Sequence, residues 1–325
     1  MPPALSIGKV EIDSRVLVAP MSGVTDLPFR RVLQRYAPGY VVSEMVAGKD
    51  LVEGNADTEL RASGTGEIDP LVIQLVGNDA AWMGAGAARA QELGAAIIDI
   101  NMGCPARKVT TGLSGSALMR DLDHACGLIE RTVAATTRPV TLKMRLGWDD
   151  GTRNAPDLAL RAEALGVQLI TVHGRTRCQF YEGQADWRAV REVVDVVNLP
   201  VVVNGDIVDA VSAKKALEES GSAAIMVGRG LVGQPWLLSE IKAALGEAAM
   251  PATWDPDTVG NHYTDMIAHY GKRRGVRVAR KHVQAYLRVA GAEAEVAHRL
   301  MRSTDPLEVE DGLRTVFARP RERAA

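Results

Sequence analysis

The chain has 325 residues, of which 46% are hydrophobic and 24% charged, with a formal net charge of −2. That is room for one large core and a smaller appended domain, and it excludes a protein coated all over in basic residues while leaving space for a local basic face. Cys104, Cys126 and Cys178 form no Cys-x-x-Cys pair and are too few for a disulfide framework, so a reducing compartment is expected. No apolar run approaches the roughly 20 residues of a membrane span. The amino terminus has no basic region followed by an apolar core. A cytoplasmic protein with no membrane partner, taken by default as a monomer, is the expectation.

Residues 4–15 alternate around Gly8-Lys9 and read as a short hairpin or lid. From there a strand-then-helix pattern recurs, with strands at 16–19, 41–45, 72–76, 97–101, 140–145, 169–173, 201–204 and 224–227. Amphipathic segments lie between them at 80–93, 121–137, 157–165, 187–197 and 209–220. Asp121 and Asp209 suit helix N-caps, and Gly94, Gly166 and Gly221 suit helix stops. The pattern predicts an α/β protein, a (β/α)8 TIM barrel over residues 1–245.

The strand pattern then ends. Residues 249–253 read as a connection, and helices are expected at 256–274, 276–290, 293–302 and 306–318, a helical-bundle domain over 246–325. Lys272, Arg273, Arg274, Arg277, Arg280, Lys281 and Arg288 fall in this domain with no acidic residue between 272 and 288. Such a run is either a solvated face or a contact for a polyanion such as nucleic acid.

A barrel delivers the carboxyl end of every strand to one rim. Read off in order, that rim carries Pro20-Met21, Glu44, Gln74, Asn101 to Cys104, Lys143 with Arg145, His173, Asn204-Gly205-Asp206 and Gly228-Arg229. Gly205 and Gly228-Arg229-Gly230 follow the last two strands, the usual place for a phosphate held by backbone N–H groups, and Arg229 adds charge. Lys143 suits either a Schiff base or a site for negative charge. Gly103 and Pro105 take Cys104 out of regular structure at a strand end, which favours a functional thiol over a packed one; Cys126, inside a helix, reads as packed, and Cys178 has no assigned role. No His, Cys and carboxylate set has metal-ligand spacing, so no metal is expected. Residues 106–116 read as a mobile loop beside Cys104.

Taken together these stretches resemble the tRNA-dihydrouridine synthase family, most closely its bacterial B-type branch. The likeness rests on Ala19-Pro20-Met21 with Val24-Thr25-Asp26, Ser43-Glu44-Met45, Asp99-Ile100-Asn101-Met102-Gly103-Cys104-Pro105 and Thr141-Leu142-Lys143. It continues through His173-Gly174-Arg175-Thr176, Asn204-Gly205-Asp206-Ile207, Gly228-Arg229 and Ala279-Arg280-Lys281-His282. The resemblance implies bound FMN, with its phosphate near Asn204, Gly205, Asp206, Gly228 and Arg229. Pro20, Met21, Ser22 and Gln74 would line the ring, Lys143 would face its N1–C2 edge, and His173 would touch it. NADPH would be the electron donor and a uridine in tRNA the substrate, reduced at C5=C6. Cys104 would be the general acid, since a thiol is protonated at neutral pH yet acidic enough to give its proton up. By the same analogy Asn101, Arg145 and Tyr181 would grip the uracil, while Arg280 and Lys281 would contact tRNA.

Three alternatives stay open on the residues alone: a Schiff-base lyase using Lys143, a flavin barrel reducing free pyrimidines in the manner of dihydroorotate dehydrogenase, and an RNA-binding protein that keeps the barrel without its chemistry.

Overall fold

Runs of Val, Ile and Leu without polar alternation must be buried on both faces, which a parallel sheet covered by helices provides. The computed structural model describes residues 4–251 and 255–318 and places these runs in one closed barrel. An antiparallel hairpin comes first, β1 (Leu5–Ile7) and β2 (Val10–Ile12). Its Leu5, Ile7 and Ile12 pack in one cluster with Leu17, Val72, Ile97, Leu169, Val202 and Ala224, plugging the barrel end opposite the strand carboxyl termini.

The barrel strands are β3 (Val16–Val18), β4 (Val41–Val42) with β5 (Val46–Ala47), β6 (Leu71–Val76), β7 (Ile97–Met102), β8 (Val140–Arg145), β9 (Leu169–His173), β10 (Val201–Asn204) and β11 (Ala224–Val227). Each pairs in parallel with the next, and β11 returns to β3. Around them run α1 (Leu27–Gln34), α2 (Gly48–Val52), α3 (Ala56–Ala62), α4 (Ala80–Glu92), α5 (Arg107–Thr110), α6 (Leu122–Ala134), α7 (Ala155–Ala164), α8 (Trp187–Val194), α9 (Ala210–Ser220) and α10 (Leu237–Ala244). Asp121 and Asp209 accept from His124 N and Ser212 N, capping α6 and α9. The TIM-barrel expectation therefore holds.

A second set follows: α11 (Pro256–Tyr270), α12 (Lys272–Val289), α13 (Ala294–Arg302) and α14 (Pro306–Ala318). It touches the barrel through α11 against α1, and through the loop at Gly233, where an added Cβ would lie 2.7 Å from the Ala285 carbonyl oxygen of α12. Of the expected connection at 249–253, Ala252 and Thr253 lie outside the described residues, as do 1–3 and 319–325 of the expected domains. Among the described residues no helix is long and apolar enough to cross a membrane.

Three local expectations need correction. The strand expected at 41–45 breaks after Val42, because the Ser43 hydroxyl takes over the ladder, donating to Glu44 O and accepting from Gln74 N. The loop expected at 106–116 holds helix α5 and is tied back to the site, with Ser116 donating from both N and Oγ to Cys104 O. The break expected near residue 275 falls instead at Gly271, which has φ +75°. Gly275 stays helical because its missing side chain lets α12 approach α11; an added Cβ would sit 2.9 Å from Ile267 Cα.

Candidate active site

The carboxyl ends of the barrel strands enclose a cavity of about 730 Å³, within the usual range for small-molecule sites. The loop after β3 contributes Pro20, Met21 and Ser22, and β6 and β7 contribute Gln74, Asn101 and Cys104. The neighbouring β8, β9 and the loop after β9 add Lys143, Arg145, His173 and Tyr181, and the last two strand ends supply Asn204, Gly205, Asp206, Gly228 and Arg229. The remaining two candidates are elsewhere. Arg280 is exposed on α12, and Lys281 donates from Nζ to Gly23 O beside the Pro20–Ser22 stretch.

The cavity's formal charges are lopsided. Lys143, Arg145, Arg229 and Arg288 line it against one carboxylate, Asp206. That carboxylate is already engaged: it accepts from Arg175 at 3.0 and 2.5 Å, from Ala185 N at 2.8 Å and from Arg229 at 3.4 Å. Asp206 is thus occupied by Arg175 and Ala185 N, with Arg229 at the edge of its reach. Lys143 is buried, with Nζ donating to Asn204 Oδ1 at 2.9 Å, and Asn204 in turn donates to Met226 O. Burial first, and Arg145 second, lower the Lys143 pKa from 10.5 to about 8. A buried ammonium without a bonded carboxylate is costly, and an anionic ligand in the cavity offsets that cost.

Arg145 is held by Gly103 O at 2.9 Å and by Thr176 O and Phe180 O, each at 2.8 Å. Phe180 has φ +53°, a conformation costing about 1–3 kcal/mol in a bulky residue, and it carries Tyr181 into the mouth. The Tyr181 ring lies between two guanidinium groups, 5.5 Å from Arg145 and 4.8 Å from Arg229. Arg175 Nη1 lies 3.3 Å from His173 Nε2. Because arginine only donates, it marks Nε2 as the acceptor, and burial holds this ring well below its ordinary pKa, hence neutral.

Cys104 is half-buried. Burial raises its pKa above the ordinary thiol value, against smaller opposing effects from Ala106 N, Arg145 and Lys143, so it stays protonated at neutral pH. Its backbone is fixed at both ends: N donates to Asn101 Oδ1 at 3.0 Å and O accepts from Ser116. Cys126 is partly packed against the core and Cys178 is exposed.

Sequence reasoning assigned no role to Asp99, Thr141, Ser116 or Arg175. For Asp99 a signal existed: an ionisable residue inside Ile97-Ile98-x-Ile100 must be buried and therefore bonded. Glu44, on the rim, accepts from Gly23 N. The fold also gathers buried Asp26, His262 and His282, with one ligand-type atom from each within 4.8 Å of the others, across the contact between barrel and helices. Asp26 accepts from Phe29 N and Tyr270 Oη, and burial raises its carboxyl to about 6 against smaller lowering effects from those two bonds and from Lys281.

Gly205 has φ +115°, and an added Cβ would lie 2.7 Å from His173 Cδ2. Gly205→Ala is expected to lower stability by about 1–3 kcal/mol and to displace His173. Thermal melting checks the first effect and flavin retention on purification the second.

The family model and the relatives by sequence agree on one family. A family model described as dihydrouridine synthase matches residues 17–320. A protein of Rhodobacter capsulatus named probable tRNA-dihydrouridine synthase is 49% identical, covering 97% of this chain and 98% of its own. The tRNA-dihydrouridine synthase B of Pseudomonas aeruginosa is 42% identical over 86% of each chain. Among solved structures, morphinone reductase in complex with tetrahydroNAD superposes with a TM-score of 0.52 at 16% identity, over 79% of this chain and 94% of that one. At that identity the likeness speaks to fold alone.

Proposed function

The chain belongs to the dihydrouridine synthase family, and from that premise we propose that it is an FMN- and NADPH-dependent tRNA-dihydrouridine synthase with Cys104 as its proton donor. The observation that carries the reading is a protonated thiol and a buried ammonium facing one cavity whose formal charge is strongly positive. Those residues fit a flavin: two glycine-bearing strand ends and Arg229 for its phosphate, and the buried ammonium of Lys143, which bonds Asn204 rather than a carboxylate, for charge on its ring.

A flavin held there would supply the hydride chemistry needed to reduce the uracil C5=C6 bond. The chain's own residues do the rest. Cys104 Sγ gives a proton to C5, so that one hydride and one proton saturate the bond. Lys143 would hold positive charge against the cofactor ring, and neutral His173 would face it. Arg145 and Tyr181 form the wall against which a uracil would stack and bond, while the amide of Asn101, bonded to Gln74 and to the Cys104 turn, would act on the uracil through that turn. NADPH is assigned as electron donor on the family resemblance.

A uridine stacked within folded RNA must first be turned out, at a cost of roughly a few kcal/mol. Basic residues of α12 would offset that cost through phosphate contacts, for Lys272, Arg273, Arg274, Arg277, Arg280 and Arg288 are all exposed. We take residues 246–325 as the tRNA-binding domain and 1–245 as the catalytic one. Arg280 belongs to the exposed face, and Lys281 joins that face to the cofactor loop through Gly23.

The test is twofold. The purified protein is expected to be yellow, absorbing near about 450 nm, and to oxidise NADPH in preference to NADH. Cells lacking it are expected to lose dihydrouridine at a defined tRNA position, mapped by mass spectrometry. A colourless protein that takes up no flavin, or an unchanged map, overturns the reading.

A further inference from the structure

Running from the cavity wall into the strands behind it, four side chains form a continuous hydrogen-bonded chain. Thr141 Oγ1 donates to Asp99 Oδ1 at 2.6 Å, and Gln74 Nε2 donates to Asp99 Oδ2 at 2.6 Å. Asn101 Nδ2 donates to Gln74 Oε1 at 2.7 Å. Asn101 Oδ1 then accepts from Gly103 N at 3.2 Å and Cys104 N at 3.0 Å. Asp99, Gln74, Thr141 and Asn101 are all buried, so none can exchange a lost partner for bulk water.

An amide has one donating and one accepting end, so its orientation follows from its neighbours. A carboxylate only accepts, which obliges Gln74 to turn its NH2 towards Asp99 and its oxygen towards Asn101. Asn101 must then donate to Gln74, and its oxygen is left facing the backbone N–H groups of the Cys104 turn. Burial pushes the Asp99 carboxyl up to about 6, with Thr141 and Gln74 pulling it back, so it is ionised at neutral pH.

We propose that Asp99 is a positioning residue that sets the direction of this amide relay, and through Gln74 and Asn101 fixes the turn presenting Cys104 to the cavity. The relay deepens the function proposed above: Gln74 and Asn101 both line the cavity, so one anchor orients the wall of the flavin site and the turn of the proton donor together.

A polarity swap tests it. Asn101→Asp puts a second acceptor-only group at the far end, so Gln74 can satisfy one carboxylate but not both. Adding Asp99→Asn reverses the whole relay. The new amide at position 99 donates to Gln74 Oε1, and Gln74 Nε2 donates to the new carboxylate at position 101. The other oxygen of that carboxylate still caps Cys104 N. Flavin-loaded N101D is expected to melt lower, lose flavin more readily and turn over about ten- to a hundredfold more slowly, whereas D99N/N101D recovers most of the losses in melting temperature and flavin occupancy. With Gln74→Met in each background, the recovery is expected to vanish. Losses that simply add, or a recovery that persists without Gln74, overturn the relay. Melting and flavin occupancy are read without tRNA, so they judge the relay even if Cys104 proves not to be the proton donor.

Discussion

Cys104→Ala is expected to abolish dihydrouridine formation while leaving flavin and tRNA bound. A positioned general acid contributes about 10²–10⁴ in rate, and alanine leaves no proton at that place. The structure makes this a clean substitution. Cys104 is held through its backbone, by Asn101 Oδ1 on N and Ser116 on O, so truncating Sγ leaves those bonds in place. Turnover of unmodified tRNA, flavin absorbance and tRNA affinity separate the effects. A variant that forms product at the normal rate removes Cys104 from the mechanism. Serine should rescue poorly, since a hydroxyl is far less acidic than a thiol.

Lys143→Met carries the second large effect, and its two consequences have opposite sign. Removing the buried ammonium is expected to cost about 10²–10³ in turnover, the scale for losing one preorganised charge-stabilising group. The apoprotein, however, should become more stable. Burial lowers the Lys143 pKa from 10.5 to about 8, which corresponds to about 3 kcal/mol against folding at neutral pH. The sign is fixed by linkage. Between pH 8 and 10.5 the unfolded chain binds the proton more tightly than the folded one, so apoprotein stability rises with pH through that window. Below pH 8 the full cost is present. Urea unfolding of flavin-free wild type and variant at about pH 7 and about pH 10 reads it directly: the variant should lead at the lower pH, and its lead should shrink at the higher. Equal stability at both pH values would show that Lys143 carries no buried-charge cost. Activity has a matching limb. Turnover should fall as pH rises through the Lys143 pKa, at or above 8 once an anion occupies the cavity.

The same cost explains why a lysine is tolerated inside a strand as apolar as Val140–Arg145. On the function proposed above, it falls on the empty protein and an anionic cofactor would offset it, a trade of stability for function. Asp99 in β7 is a second polar residue in an apolar strand, but its cost is met inside the protein by Thr141 and Gln74.

How much of the molecule is legible before folding follows from the range of each interaction. Strand and helix identity rest on neighbours in sequence: the Val201–Asn204 run, the Asp209 cap and the Gly221 stop are all readable, and parallel barrel topology then sends every strand end to one rim. That suffices to bring Gln74, Cys104, Lys143, His173 and Arg229 into one candidate set, and the fold places them around a single cavity. Residue patterns do not say which way an amide points, or what a charged side chain meets. Lys281 reads in sequence as a contact for RNA, yet its ammonium reaches Gly23 O in the cofactor loop, far away along the chain. The break at Gly271 rather than beside Gly275 depends on how closely α12 approaches α11. Local order of residues dictates the barrel, its rim and the thiol at a strand end, because short-range periodicity and turn chemistry fix these. Only long-range folding sets the Asp99–Gln74–Asn101 polarity, the engagement of Asp206 by Arg175 and the unneutralised burial of Lys143. Hydrogen-bond partners and dielectric surroundings are assembled from distant segments, and no local pattern encodes them.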